Sequence, residues 1–177
     1  MVSVSRDIQA IMIPDGTVTQ LKEGTRVSIH QALGGTYTLG TEHGFMVRIS
    51  TSDADAIGET PEDISIQPKT NEASDVKDAI WKVLKTVYDP EIPVNIVDLG
   101  LVYECHLEPI STDKFNVKIQ MTLTAPGCGM GPVLQADVEL RIKDLNPVEK
   151  VNVEVVLDPP WDREMMSEAA RLELGLM

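Results

Sequence analysis

Aromatic side chains are scarce in this chain, with two Trp, three Tyr and two Phe among 177 residues. Each one therefore counts when a core has to be filled. Cysteine is scarcer still, at two, which excludes a disulfide framework and limits the metal site one chain could build alone. Basic charge is short as well. Fifteen Lys and Arg stand against 28 Asp and Glu, for a net charge of -13, the wrong sign for a nucleic-acid backbone or an anionic membrane surface. Long apolar runs are missing, and none approaches the ~20 residues that span a bilayer. The opening Met1-Val-Ser-Val-Ser-Arg-Asp7 carries no signal-peptide core. The expectation is a cytoplasmic protein with reduced thiols, and with no nucleic-acid or membrane partner.

What is present falls into two patterns. From Asp7 to Ser50, short alternating segments are punctuated by turn signals at Pro14-Asp-Gly16, Glu23-Gly24, Gly34-Gly35, Gly40 and His43-Gly44. This spacing predicts a small all-β unit, a barrel or sandwich of five or six strands. Its clearest strand is Phe45 to Ile49, with Phe45, Val47 and Ile49 on one face. An acidic, Pro-containing stretch follows. Asp53 to Gly58 can still pack on the β unit, whereas Pro68 to Ser74 reads as a linker. The domain boundary is placed near residue 70, giving units 1–70 and 71–177.

Beyond it the period changes. Val76, Ala79, Ile80, Val83, Leu84 and Val87 predict an amphipathic helix, capped by Ser74 or Asp75 and ended by Pro90. Leu101, Tyr103, Cys105 and Leu107, then Phe115, Val117, Ile119, Met121 and Leu123, alternate with polar residues as an antiparallel hairpin with one wet face. Val133, Leu134, Val138, Ile142 and Leu145 mark a second helix with Pro132 in its first turn. Val151, Val153, Val155 and Leu157 mark a third strand. Asp162 caps a last helix that Gly175 stops. The expected fold class is α+β: a two-layer α-β-β-α-β-α unit with a mainly antiparallel three-stranded sheet, preceded by the small all-β domain.

The residue that draws the eye chemically is Cys128, at the point where a strand pattern gives way to a helix pattern. Gly127, Gly129 and Gly131 surround it, so the backbone can turn sharply and another group can approach. Free amides at the coming helix start favour a thiolate. The same pattern also suits a small apolar Cys in a turn that needs glycine for geometry alone. Asp89, Glu91 and Asp98 lie in a loop stiffened by Pro90 and Pro93. They either cap helix ends and loop amides, or form a carboxylate cluster beside the Cys128 turn, since Asp98 enters the hairpin near where Thr124 leaves it. Cys105 falls on an apolar strand face and reads as a core thiol, whereas His106 points to the wet face with Glu104 and Glu108. His30 and His43 have no ligand spacing. Met121, Met130, Met165 and Met166 read as gap fillers. Trp161 reads as a lid on the core or as an exposed interaction anchor.

Three stretches together resemble one family: Asp89 to Tyr103, Met121 to Gly131, and Asp158 to Gly175. They are similar to the iron-sulfur cluster assembly domain of the SufT, PaaD and eukaryotic cytosolic targeting-factor group. Residues 74 to 177 carry the match. Within the first 70 residues, Ile13 to Gly16, Gly24 to Tyr37 and Asp53 to Gly58 resemble the extension of SufT-type members. The resemblance implies a non-enzymatic accessory factor that helps deliver clusters to client apoproteins. Cys128 would be its functional thiol, transiently ligating iron or an iron-sulfur cluster, with Asp89, Glu91, Asp98, Thr124, Gly127 and Gly129 as neighbouring motif residues. It implies assembly machinery, carriers and clients as partners, and a homodimer is one way to gather enough ligands. Many members carry Pro after the motif cysteine where this chain has Gly129. A cysteine-nucleophile enzyme would need a base that the local sequence does not supply, and a pure interaction module with a structural Cys128 is the other alternative.

Overall fold

The computed structural model describes residues 1–62, 65–89, 92–125, 127 and 129–176. The first half of the chain makes one antiparallel sheet from β1 (Val2–Ser3), β2 (Ile8–Ile13), β3 (Val18–Leu21), β4 (Arg26–Leu33), β5 (Thr36–Thr41) and β6 (Met46–Ser50). The strand order is β1-β4-β5-β6-β2-β3. The glycine signals work as turns: Gly34 and Gly35, both at positive φ, form the two-residue tip between the paired Leu33 and Thr36, the geometry that a tight hairpin demands. The buried face carries Val27, Leu39, Val47 and Ile49. A 3-10 turn, Thr51–Ile57, closes it with Ala56 and Ile57. Phe45 departs from expectation. It precedes β6 and is 56% exposed, because the turn at His43-Gly44 places it outside the ladder.

The second half follows the anticipated order, with α1 (Ala73–Leu84), β7 (Val102–Ser111), β8 (Lys114–Met121), α2 (Gly131–Lys143), β9 (Val148–Val155) and α3 (Glu168–Glu173). All six apolar positions read for the first helix are buried. Its boundaries differ: Glu72 stands at the N-cap without a side-chain bond, and Lys85 caps the far end. The helix thus stops five residues before Pro90. β7 and β8 pair as the antiparallel hairpin. β9 adds to β8 in parallel, with Ile119 opposite Val153. That pairing needs a crossover, and α2 supplies it.

Ile80, Leu84, Ile96, Leu99, Leu101, Ile119, Met121, Leu134 and Ile142 form the centre of this second core. Each such side chain contributes roughly 1.5–3 kcal/mol on burial. Leu157 was expected inward but is 56% exposed, since β9 ends at Val155. Asp162 caps a short 3-10 turn, Arg163–Met165, instead of the last helix, whose cap is Ser167. Thr122, expected on the wet face, is buried and donates its amide to the Leu101 carbonyl at 2.8 Å.

The two sheets meet through α2, which is buried on two sides. Leu134, Val138 and Ile142 face the second core. Asp137 and Arg141 turn to the first sheet, where Asp137 Oδ2 lies 3.5 Å from Arg48 Nη1 and Oδ1 accepts from Arg141 Nε at 2.8 Å. Among the described residues, no helix is long and apolar enough to cross a membrane.

Candidate functional site

The loop after α1 is shaped by its own polar side chains. Asp89 is buried and its Oδ1 accepts the Ile92 amide at 3.1 Å. The Asp89 amide donates to the Val94 carbonyl at 3.3 Å, and Tyr88 bridges to Asn95 at the loop stem. Asn95 Oδ1 accepts the amides of Val97 and Asp98, and its Nδ2 donates to Asp98 Oδ2 at 2.7 Å. Such side-chain to backbone bonds are what Asx turns offer. Asp89 thus holds a loop amide, and Asp98 is held by the Asn95 side chain.

The three separated stretches converge on residues 98–103. Thr122 of the second stretch bonds Leu101. From the third stretch, Trp161 Nε1 donates to the Leu99 carbonyl at 2.6 Å, the Ser167 amide donates to the Asp98 carbonyl at 2.7 Å, and the Pro159 carbonyl accepts from the Tyr103 hydroxyl at 2.7 Å. Trp161 is half-buried against the second core. The residue packs on that core and stays part-exposed.

Cys128 and Glu91 lie outside the described residues. Of their neighbours, Thr124 is half-buried, and Gly127 and Gly129 are exposed. Gly127 has φ 79°, a backbone that side chains rarely adopt, and a Cβ at either glycine would meet nothing within 4 Å. Among the described residues, the space around both glycines is open. α2 begins immediately after, at Gly131, with no side-chain cap from Met130. The positive end of its macrodipole therefore lies just after residue 129, with Pro132 contributing no N–H to that end. Among the described residues, no group of three His, Cys, Asp or Glu side chains could hold a metal.

Cys105 is buried, and burial pushes its thiol above the ordinary value, as expected for an inert core sulfur. His106 is exposed on the outer face of the hairpin, with Lys118 across the ladder. His30 bonds Ser28 Oγ, 3.2 Å away.

Sequence reasoning missed the polar contact between the sheets. Arg48 is only 7% exposed, and its Nε has no hydrogen-bond partner among the described residues. Burial pushes its guanidinium below the ordinary value, Asp137 and Asp89 oppose this, and Arg141 adds to it. It remains a cation, since a guanidinium does not lose its proton in proteins. Arg141 spans the junction: Nη1 donates to the Thr86 carbonyl and hydroxyl at 3.2 and 2.8 Å, and Nη2 to the Gly34 carbonyl at 3.1 Å. A lone Arg in a strand reads as solvent-facing. The Asp137/Arg141 spacing was a visible i,i+4 pair, but one that usually lies on a wet face. A cavity of about 220 Å³, lined by Ser50, Thr51, Arg141 and Asp144 among others, opens between the end of β6 and the helices α1 and α2. It contains none of Asp98, Thr124, Gly127 or Gly129.

Comparison with known proteins places these features. A family model described as iron-sulfur cluster assembly protein matches residues 77–155. A Porphyromonas gingivalis protein named Fe-S protein maturation auxiliary factor is 41% identical over 107 residues, 60% of this chain and 98% of that protein. A Bacillus subtilis protein of the same name, YitW, is 38% identical over 101 residues, 57% of this chain and 95% of its own length. A crystal structure from Bacillus anthracis, of a domain of unknown function called DUF59, superposes with a TM-score of 0.53 at 34% identity. It covers 59% of this chain and 95% of that one.

Proposed function

The chain belongs to the iron-sulfur cluster assembly protein family, and we propose that it acts there as a maturation auxiliary factor, a non-enzymatic accessory that helps pass iron-sulfur clusters to client apoproteins. The observation that carries this reading is the convergence of the three stretches on residues 98–103. Residues far apart in sequence are brought together at Asp98 to Tyr103, and Gly127 and Gly129, which flank Cys128, come directly before the start of α2.

In this reading Cys128 is the functional thiol. Exposed Gly127 and Gly129 leave room for a cluster or a carrier surface to approach, and the positive end of the α2 macrodipole favours the thiolate. Asp89 and Asp98 act mainly by fixing the loop. Glu91 and Thr124 complete the motif set, and Trp161, which is part-exposed, is a docking point for a partner. Clusters commonly take four ligands, so one thiol per chain calls for a transient hold, completed by a second copy or by thiols of a carrier. Partners are then the assembly machinery, carrier proteins and clients, met in the cytoplasm. We also take residue 70 as the boundary between an all-β domain and the family domain.

The test is anaerobic reconstitution of wild type and Cys128→Ser, read by absorption and by iron and sulfide per chain. A cluster in wild type alone supports the thiol's role. Equal loading in both removes Cys128 from it. Loading in neither overturns the cluster-holding part and leaves an adaptor, to be followed by carrier and client pull-downs.

A further inference from the structure

The Porphyromonas gingivalis relative is matched over 98% of its length by 107 residues of this chain, so it has no room for a six-stranded sheet as well. What the extra sheet does here can be read from where its hairpin tips land. Gly34, at the β4–β5 tip, packs on Tyr88, and a Cβ there would lie 2.7 Å from the ring's Cγ and 2.8 Å from Tyr88 Cβ. Tyr88 is the stem of the loop that starts at Asp89. Gly16, at the β2–β3 tip, packs on Pro132, where an added Cβ would come within 2.9 Å of Pro132 Cβ. Pro132 lies in the first turn of α2, four residues after Cys128. The two tips thus touch the two chain segments that carry the candidate site.

Between the tips, the junction is polar and pinned. Arg141 joins Gly34 to Thr86 just before the loop, and Asp137 holds both Arg141 and the buried Arg48 of β6. Buried charges of this kind cost too much to be left unpaired, so the two bodies are fixed in one register.

We propose that the N-terminal sheet is a built-in clamp on the candidate site, holding the Asp89 loop through Gly34 and Arg141 and the start of α2 through Gly16. In this chain the sheet covers Asp137 and partly covers Tyr88 and Arg141, while Pro132 stays exposed at the edge of the contact. The assignment of the site rests on the function proposed above, whereas the clamp itself is a mechanical statement that can be tested separately.

The experiment is amide hydrogen exchange on the full chain, comparing Gly34→Ala and Gly16→Ala with Gly24→Ala and Gly44→Ala. All four glycines have positive φ, but a Cβ at Gly24 or Gly44 meets nothing within 4 Å. The control variants carry the same backbone strain without the collision. The clamp requires exchange about tenfold faster in residues 86–98 for Gly34→Ala and in residues 129–135 for Gly16→Ala, with both segments unchanged in the controls. Unchanged exchange in the clamp variants, or equal loosening in the controls, overturns it. Should a glycine variant unfold the first sheet, visible as exchange across β4 to β6, Arg141→Lys is the second probe. It keeps the charge but cannot span Asp137, Thr86 and Gly34 together, so residues 86–98 must loosen; if they do not, the clamp is refuted. Cluster loading that fails in wild type would overturn the cluster-holding part of the function while leaving the exchange result standing.

Discussion

Trp161 reaches back over the core and donates its indole N–H to the carbonyl of Leu99 at 2.6 Å, which joins the last of the three matching stretches to the first. Trp161→Phe keeps most of the apolar contact but leaves the Leu99 carbonyl without that donor. The expected cost is about 1–2 kcal/mol of stability, measured by urea denaturation. A variant as stable as wild type would mean that the residue serves a partner and not the core.

Asp137 sits between two guanidiniums in the junction of the sheets. Asp137→Ala leaves buried Arg48 unpaired and is expected to cost about 3–5 kcal/mol. Arg48→Met removes the buried cation and its unpartnered Nε together, and is expected to cost clearly less. Denaturation curves of the two proteins decide the matter, and equal losses would contradict this account of the junction.

The two thiols are expected to separate cleanly. Cys105→Ala should cost about 1 kcal/mol, the loss of a small buried group, and leave iron and sulfide content after reconstitution as in wild type. Alkylation of the native protein, followed by mass spectrometry, should label Cys128 and spare Cys105, whose burial disfavours its thiolate. Rapid labelling of Cys105 would contradict the buried position.

Acid is expected to weaken the first sheet. Arg6 bonds Asp53 and Asp55 of the 3-10 turn, and that hydrogen bond holds the Asp55 carboxyl below its ordinary value. A folded-state value below the unfolded one means that this contribution is present above the unfolded value of about 3.9. It fades as pH falls from there through the folded value. Thermal midpoints recorded from pH 5 to pH 3 should fall less steeply for Arg6→Ala than for wild type. Parallel curves would show that the pair adds nothing.

The helices and hairpin of the second half were legible because their apolar periods are long and consistent, from Val76 to Val87 and from Phe115 to Leu123. Boundaries were less so. Asp162 and Ser167 are both competent caps, and only the packing of the third stretch over Gly100 and Leu99 sets which one starts the last helix. The parallel pairing of β9 was not readable, since Val151 and Val153 alternate identically whichever way the strand runs. Arg48 escaped notice for a similar reason: its burial is created by α2, nearly a hundred residues away, and no local pattern encodes it. For the site, the glycines around residue 128 and the acidic loop were visible as types. What the sequence could not supply was that Asp89 and Asp98 spend their oxygens on loop amides and on Asn95.

The parallel ladder between β8 and β9 also bears on how the protein is made. β7 and β8 can zip together as soon as both have left the ribosome. The outer edge of β8 then stays bare until the chain has been extended through α2 to Val155. A nascent or truncated product ending before that point carries an exposed strand edge, of the kind that recruits neighbouring chains. The segment with Cys128 is already synthesised during that interval, so chaperone capture or proteolysis of unfinished chains would keep the proposed functional thiol from being displayed on an incomplete scaffold.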